Sequence, residues 1–200
     1  MNYLAHLYVS DPDPIAWAGS LMGDFLKGPL PEGGDPHLRK HLLLHRKLDT
    51  FAAGNAHFLS SCRRLDTRYR FGRSILIDVF YDHFLACHWN SLADVPLETF
   101  SAQVYAGLSD CQEMLPTGLR QLLPRMVRED WLCSYRDPAI VGRVLMSLER
   151  RLRHRLPLAQ GVDDLTDCRA ALEADFGRFI AEAVGFVGEW KADYVETQRS

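Results

Sequence analysis

Apolar residues recur at three- and four-residue spacing along nearly the whole chain, and the strict alternation of a half-buried strand is hard to find. Asp13-Pro14 supplies an N-cap followed by proline in the first turn, after which Ile15, Ala18, Met22 and Phe25 line one face. Gly28 and the Pro/Gly-rich stretch through Pro36 close that helix. A long helical run is expected over 38–65, carrying Leu42, His45, Leu48, Ala52 and Leu59, with Gly54-Asn55 as the point of interruption. Another spans 73–90, with Ile75, Val79, Phe80, Phe84 and Cys87 as its core side. Pro96 opens a segment that ends before Pro116. Asp137-Pro138 repeats the cap-and-proline device ahead of the stripe Ile140, Val141, Val144, Leu145, Leu148 and Leu152. A last helix is expected over 164–195, burying Leu165, Leu172, Phe176, Phe179, Ile180 and Val187. There is no repeat, low-complexity tract or break in composition, so the expectation is an all-α, single-domain helical bundle over 1–200.

Composition narrows the class without deciding it. The 200 residues are 47% hydrophobic and 24% charged, enough for one full core. A net charge of −3 speaks against generic nucleic-acid binding, which needs a basic surplus. No apolar stretch approaches the roughly 20 residues of a membrane span. Five scattered cysteines without a C-x-x-C pair suit neither a disulfide framework nor a zinc knuckle, and are expected to be buried small hydrophobes in a reducing compartment. With Asp11 and Asp13 near the start and no basic leader, the expected location is the cytoplasm.

The chemistry lies where polar residues interrupt apolar helices. His41, His45 and Asp49 follow one another at four-residue steps, on one helical face. Asp78 and Asp82 repeat that spacing and are followed at once by His83, in the otherwise apolar segment 77–85. Two carboxylates buried one turn apart repel unless a cation compensates them. His6 sits in an equally apolar start, and Asp24 interrupts the first helix stripe. Imidazole and carboxylate donors without thiolate suit Mn, Fe, Zn or Mg. No P-loop, G-x-G-x-x-G, G-x-S-x-G or H-E-x-x-H motif offers a competing chemistry.

Four segments taken together, residues 1–7, 23–28, 45–49 and 78–89, resemble the acyl-carrier-protein phosphodiesterases in order and spacing, and the similarity continues through Trp131, Leu132 and Tyr135 to the C-terminal helix. The resemblance implies hydrolysis of the phosphodiester joining 4′-phosphopantetheine to a serine of holo acyl carrier protein. It further implies a manganese-dependent site (Mg²⁺ or Fe²⁺ as substitutes) and an HD-domain-like fold. The adjacent pair here reads Asp82-His83, where the HD pattern has His-Asp. Carried onto this sequence, Asp24, His45, Asp49, Asp78, Asp82 and His83 form the metal and catalytic set, with His6 as companion. Within it we assign His6, Asp49, Asp78 and Asp82 to the metal, Asp24 to the attacking water, and His45 and His83 to catalysis. An acidic carrier protein calls for local basic surface. Arg63, Arg64, Arg68, Arg70 and Arg73 form one such stretch and residues 149–155 a second, while Arg46 is placed to neutralise phosphate. Two other classes fit the same residues: an HD-like nucleotide phosphohydrolase, and a non-catalytic helical module that binds an acidic partner.

Overall fold

Three Asp-Pro pairs start three helices, each by the same device. The side chains of Asp13, Asp35 and Asp137 accept backbone N–H groups of the first turn, at 2.9 Å from Ala16, 2.7 Å from His37 and 2.8 Å from Ala139, and the following proline needs no N–H partner. The computed structural model describes residues 3–30 and 33–199, except the side chains of 197–199. Among these residues the chain forms eleven α-helices, three short 3₁₀ turns and no strand. The helices are α1 Tyr3–Tyr8, α2 Pro14–Met22, α3 Pro36–Gly54, α4 Ala56–Arg64, α5 Gly72–Leu92, α6 Leu97–Asp110, α7 Thr117–Arg128, α8 Trp131–Ser134, α9 Pro138–Arg151, α10 Gly161–Asp167 and α11 Arg169–Arg199. Their buried side chains make one continuous core, so the expected single all-α domain is what forms. None of these helices is long and apolar enough to cross a membrane.

The run expected over 38–65 divides at Asn55. That residue takes an extended conformation, and its side chain caps α4 by accepting from His57 and Phe58 N–H at 2.9 and 3.1 Å. The last run divides at Cys168 into α10 and α11. Helix α5 is buried almost all round, from Leu76 and Ile77 through Phe80, Tyr81 and Phe84 to Trp89, whose indole N–H donates to Val95 O at 2.8 Å. The cysteines depart from expectation. Cys87 is exposed and the other four are half-buried; Cys111 and Cys168 stand at helix C-caps, outside the packed faces.

Helices α2 and α3 cross at very close range. A Cβ on Gly19 would stand 2.5 Å from Leu38 O and 2.9 Å from His41 Cβ, so only glycine permits the approach. Behind this crossing, Asp11 ties three segments together. Its carboxylate accepts from Lys40 at 2.8 Å, Lys191 at 2.7 Å and His41 Nε2 at 2.9 Å, linking the α1–α2 turn to α3 and α11. His41, expected beside His45, is thus spent on Asp11, and burial pushes its pKa down to about 4. Asp11, His37 and His41 cluster closely enough to suggest a cation site, but two ammonium groups already neutralise the carboxylate.

Gly19→Ala is expected to lower stability by about 1–3 kcal/mol through overpacking, read as a fall of several degrees in Tm. Burial raises the Asp11 pKa, but the hydrogen bonds from Lys191, Lys40 and His41 outweigh it and hold the carboxyl well below its usual range. A depressed carboxylate stabilises the fold above its unfolded pKa of about 3.9. The destabilisation caused by Asp11→Asn should therefore be largest near neutrality and shrink as pH falls below about 4, as denaturant titrations at pH 7 and 3 would show.

Candidate metal centre

His6 and His45 stack face to face, ring centroids 3.8 Å apart and planes 14° from parallel, and both aim Nε2 at one carboxylate. The distances are 3.2 Å from His6 to Asp49 Oδ1 and 3.3 Å from His45 to Asp49 Oδ2. His6 comes from α1, while His45 and Asp49 lie one turn apart on α3. Both rings are buried, whereas the Asp49 side chain is 62% exposed, so the centre opens to solvent on the Asp49 side.

The two rings are positioned by different means. The Nδ1–H of His45 donates to Ser20 O at 2.6 Å, which leaves Nε2 as the lone-pair edge facing Asp49. Gly23 makes room for the same ring: a Cβ there would lie 2.2 Å from His45 Cδ2 and 2.6 Å from Nε2. His6 is placed by its helix. Helix α1 has only six residues, too few to persist alone. The fully buried Asp82 supplies what it lacks, its two oxygens accepting Leu4 N–H at 3.1 Å and Ala5 N–H at 3.0 Å. Ser10 Oγ then bonds His6 O at 2.7 Å and meets Ser20 Oγ at 2.5 Å, joining the two supports.

Carboxylates surround this pair. Asp78 is half-buried and lines the same narrow cleft as His6 and Asp49, walled by Leu48, Phe179 and Ala183. Burial raises its pKa against an opposing positive charge, and the charges of Asp49 and Asp24 add to the rise. Asp82 is pushed up to about 7, chiefly by burial. His6 is shifted down by burial and by His45, which favours the neutral imidazole that ligates metals. Asp24, in the turn after α2, has a buried Oδ2 without a hydrogen-bond partner among the described residues. A buried carboxylate oxygen without a donor calls for a cation or a proton donor. The lone-pair edge of His45, the neighbouring His6 imidazole, the carboxylates of Asp49 and Asp78 and this orphaned oxygen together fit a divalent cation of borderline or hard character.

The expected set is therefore only partly brought together. His6, His45 and Asp49 bring their ligand atoms within 4.8 Å of one another, close enough to share one ion, and Asp24 and Asp78 act on them electrostatically. Asp82 caps α1 with both oxygens. His83 is engaged elsewhere: one residue on from Asp82 turns its ring about 100° around α5, where Nδ1 donates to Tyr135 O at 2.7 Å and Nε2 meets Arg169 at 3.1 Å. Arg46 donates to Leu26 O and Gly28 O at 3.0 and 2.7 Å, so it pins the loop that carries Asp24. Arg64 and Arg68 are likewise committed, to Asp175 at 2.9 Å and Asp164 at 3.3 Å. Ser20 escaped the sequence reading because a carbonyl has no side-chain signature. Gly23 carried a signal, a glycine directly before the interrupting aspartate.

An all-helical protein with a His/Asp centre of nitrogen and oxygen donors is the class that fold and site define. Residues 1–183 match the family model described as acyl carrier protein phosphodiesterase. A protein of that name from Escherichia coli O157:H7 is 30% identical over 187 residues, covering 90% of this chain and 93% of its own length. Others of the same name, from Photorhabdus laumondii and Serratia proteamaculans, are each 28% identical, over 183 and 181 residues and 90% of this chain, covering 91% and 93% of their own lengths. No solved structure matches the chain. The chain belongs to the acyl carrier protein phosphodiesterase family.

Gly23→Ala is expected to drive the His45 ring out of its stack with His6. Proton NMR would read this as loss of the mutual ring-current shifts of the two imidazoles, with helical circular dichroism retained.

Proposed function

We propose that this protein hydrolyses the phosphodiester between 4′-phosphopantetheine and a serine of holo acyl carrier protein, releasing apo carrier protein and 4′-phosphopantetheine. The carrying observation is the stacked His6–His45 pair aimed at Asp49, beside the orphaned Asp24 oxygen, in a chain of this family. His6, His45, Asp49 and Asp78 are the residues that would hold the cation, Mn²⁺ by family resemblance. When bound, the ion supplies charge neutralisation on the phosphoryl oxygens and acidifies water.

The chain's own residues do the rest. Asp24 accepts the proton that the attacking water gives up as its oxygen bonds to phosphorus. The bond from phosphorus to the serine oxygen breaks, and that oxygen takes a proton from water on the open Asp49 side while the proton on Asp24 returns to solvent. The Ser20 carbonyl holds the His45 ring in one tautomer, and Asp82 holds α1 so that His6 cannot swing away. Leu48, Phe179 and Ala183 wall one side of the cleft against water. Five free thiols and a carrier-protein substrate accord with a cytoplasmic reaction.

A mass-resolved assay on holo acyl carrier protein tests this directly. With Mn²⁺ the wild type should remove the phosphopantetheine mass, and EDTA should abolish the reaction. Asp78→Ala and Asp49→Ala should lower kcat/KM on the order of 100-fold or more, the scale of losing one charge-stabilising group. An unchanged carrier mass with folded, metal-loaded protein rejects the proposal in favour of a nucleotide phosphohydrolase, which a nucleotide panel would reveal. Absence of stoichiometric metal would instead point to a non-catalytic module.

A further inference from the structure

Phe71, the residue that precedes α5, is 69% exposed, the most exposed large hydrophobic side chain among the described residues. It lies in the stretch 63–73, which holds five arginines against the single acid Asp66, in a chain of net charge −3. Asp66 is itself engaged, accepting Arg68 N–H at 2.7 Å.

The fold brings the second basic stretch to the same place. A Cβ on Gly72 would stand 2.9 Å from the side chain of Leu158 and 3.0 Å from that of Leu156. The chain next to Phe71 therefore packs against the segment that directly follows Arg155. Residues 149–155 hold four arginines against the single acid Glu149. Glu149 is spent internally, bonding His154 Nδ1 at 3.0 Å and accepting Ala159 N–H at 2.8 Å. Those bonds brace a turn in which Arg153 and His154 both take positive φ, 54° and 55°, an unfavourable backbone that persists only where the surroundings enforce it. The exposed side chains of Arg153 and Arg155 are thereby held outward.

These arginines are also uncommitted. Among the described residues, Arg63, Arg70, Arg150, Arg151, Arg153 and Arg155 form no ion pair, in contrast to Arg64 and Arg68. The surface adjoins the metal centre. Phe71 and Asp78 are seven residues apart along α5, a rise of about 10 Å. At the other end of the patch, the charge of Arg151 reaches Tyr3, which also feels Asp24.

We propose that Phe71 and the merged arginines of 63–73 and 149–155 form one docking surface for an acidic helical protein, the carrier protein whose serine phosphodiester enters the neighbouring centre. The inference rests on the proposed activity for its choice of partner. The bond to be cut is attached directly to a surface serine of the carrier, so the docking face must lie within a helical turn or two of the centre, as this one does. An apolar anchor ringed by positive charge matches a partner that offers an apolar spot within an acidic helix face.

Calorimetric titration of apo acyl carrier protein into the full chain tests it, comparing wild type with Phe71→Ser, with Arg70→Glu/Arg153→Glu, and with Arg125→Glu as a control on α7. Phe71 and these arginines are exposed, so folding should survive, and circular dichroism checks it. The first two variants should weaken Kd by about tenfold or more, the control should not, and wild-type affinity should fall steeply between low and high salt. Equal affinity in all variants overturns the proposal, as does binding of anionic vesicles or duplex DNA in place of carrier protein. Patch-dependent binding without hydrolysis of the holo form would sustain the docking surface and reject the activity. Hydrolysis indifferent to the patch would do the reverse.

Discussion

The crossing of α2 over α3 governs this molecule. It depends on two glycines one turn apart, Gly19 against the backbone of α3 and Gly23 against the imidazole of His45. Because the helices meet so closely, the carbonyl of Ser20 reaches Nδ1 of His45 and decides which edge of the ring faces Asp49. The same approach places the turn carrying Asp24 beside the centre, where Arg46 from α3 fastens the loop by two carbonyls. A methyl group at either glycine would shift a ring or a backbone that several other groups rely on. Interiors packed at crystal density have no slack to absorb it.

The second support is electrostatic. Asp82 lies at full burial where an isolated carboxylate would be costly, and it is tolerated because two N–H groups at the start of α1 point at it. The exchange is mutual. A six-residue helix gains a cap, a buried charge gains two donors, and His6 is delivered to a site whose other members come from residues 24–78. Helix α11 completes the arrangement by walling the cleft with Phe179, Ile180 and Ala183, while its Lys191 fixes Asp11 on the far side. The C-terminal helix is therefore part of the site's architecture as well as of the core.

The molecule carries two populations of charge. Inward-facing carboxylates repel one another and are consistent with a cation. Outward-facing arginines such as Arg70 and Arg153 form no ion pair among the described residues and sit near the exposed Phe71. The chain keeps these populations apart by pairing off the arginines that could reach inward acids, Arg64 with Asp175 and Arg68 with Asp164.

The sequence by itself determined the helical class, the capped starts at Asp13 and Asp137, and the candidates His6, Asp24, His45, Asp49 and Asp78. Each is a local matter: a cap acts within three residues, and a polar residue in an apolar helical stripe stands out at once. Tertiary structure alone decided which candidates meet. His41 and His45 share a helical face, yet His41 finds Asp11 while His45 and its helical neighbour Asp49 are joined by His6, because different segments cross α3 at each level. Asp82 and His83 are neighbours in sequence, but a single step around α5 sends one ring to Tyr135 and Arg169 and leaves one carboxylate under α1. The union of the two arginine stretches was equally invisible, since it depends on Gly72 meeting Leu156 across 84 residues of chain. Periodicity reports the direction of a side chain relative to its own helix, and what waits in that direction is set by how the helices pack.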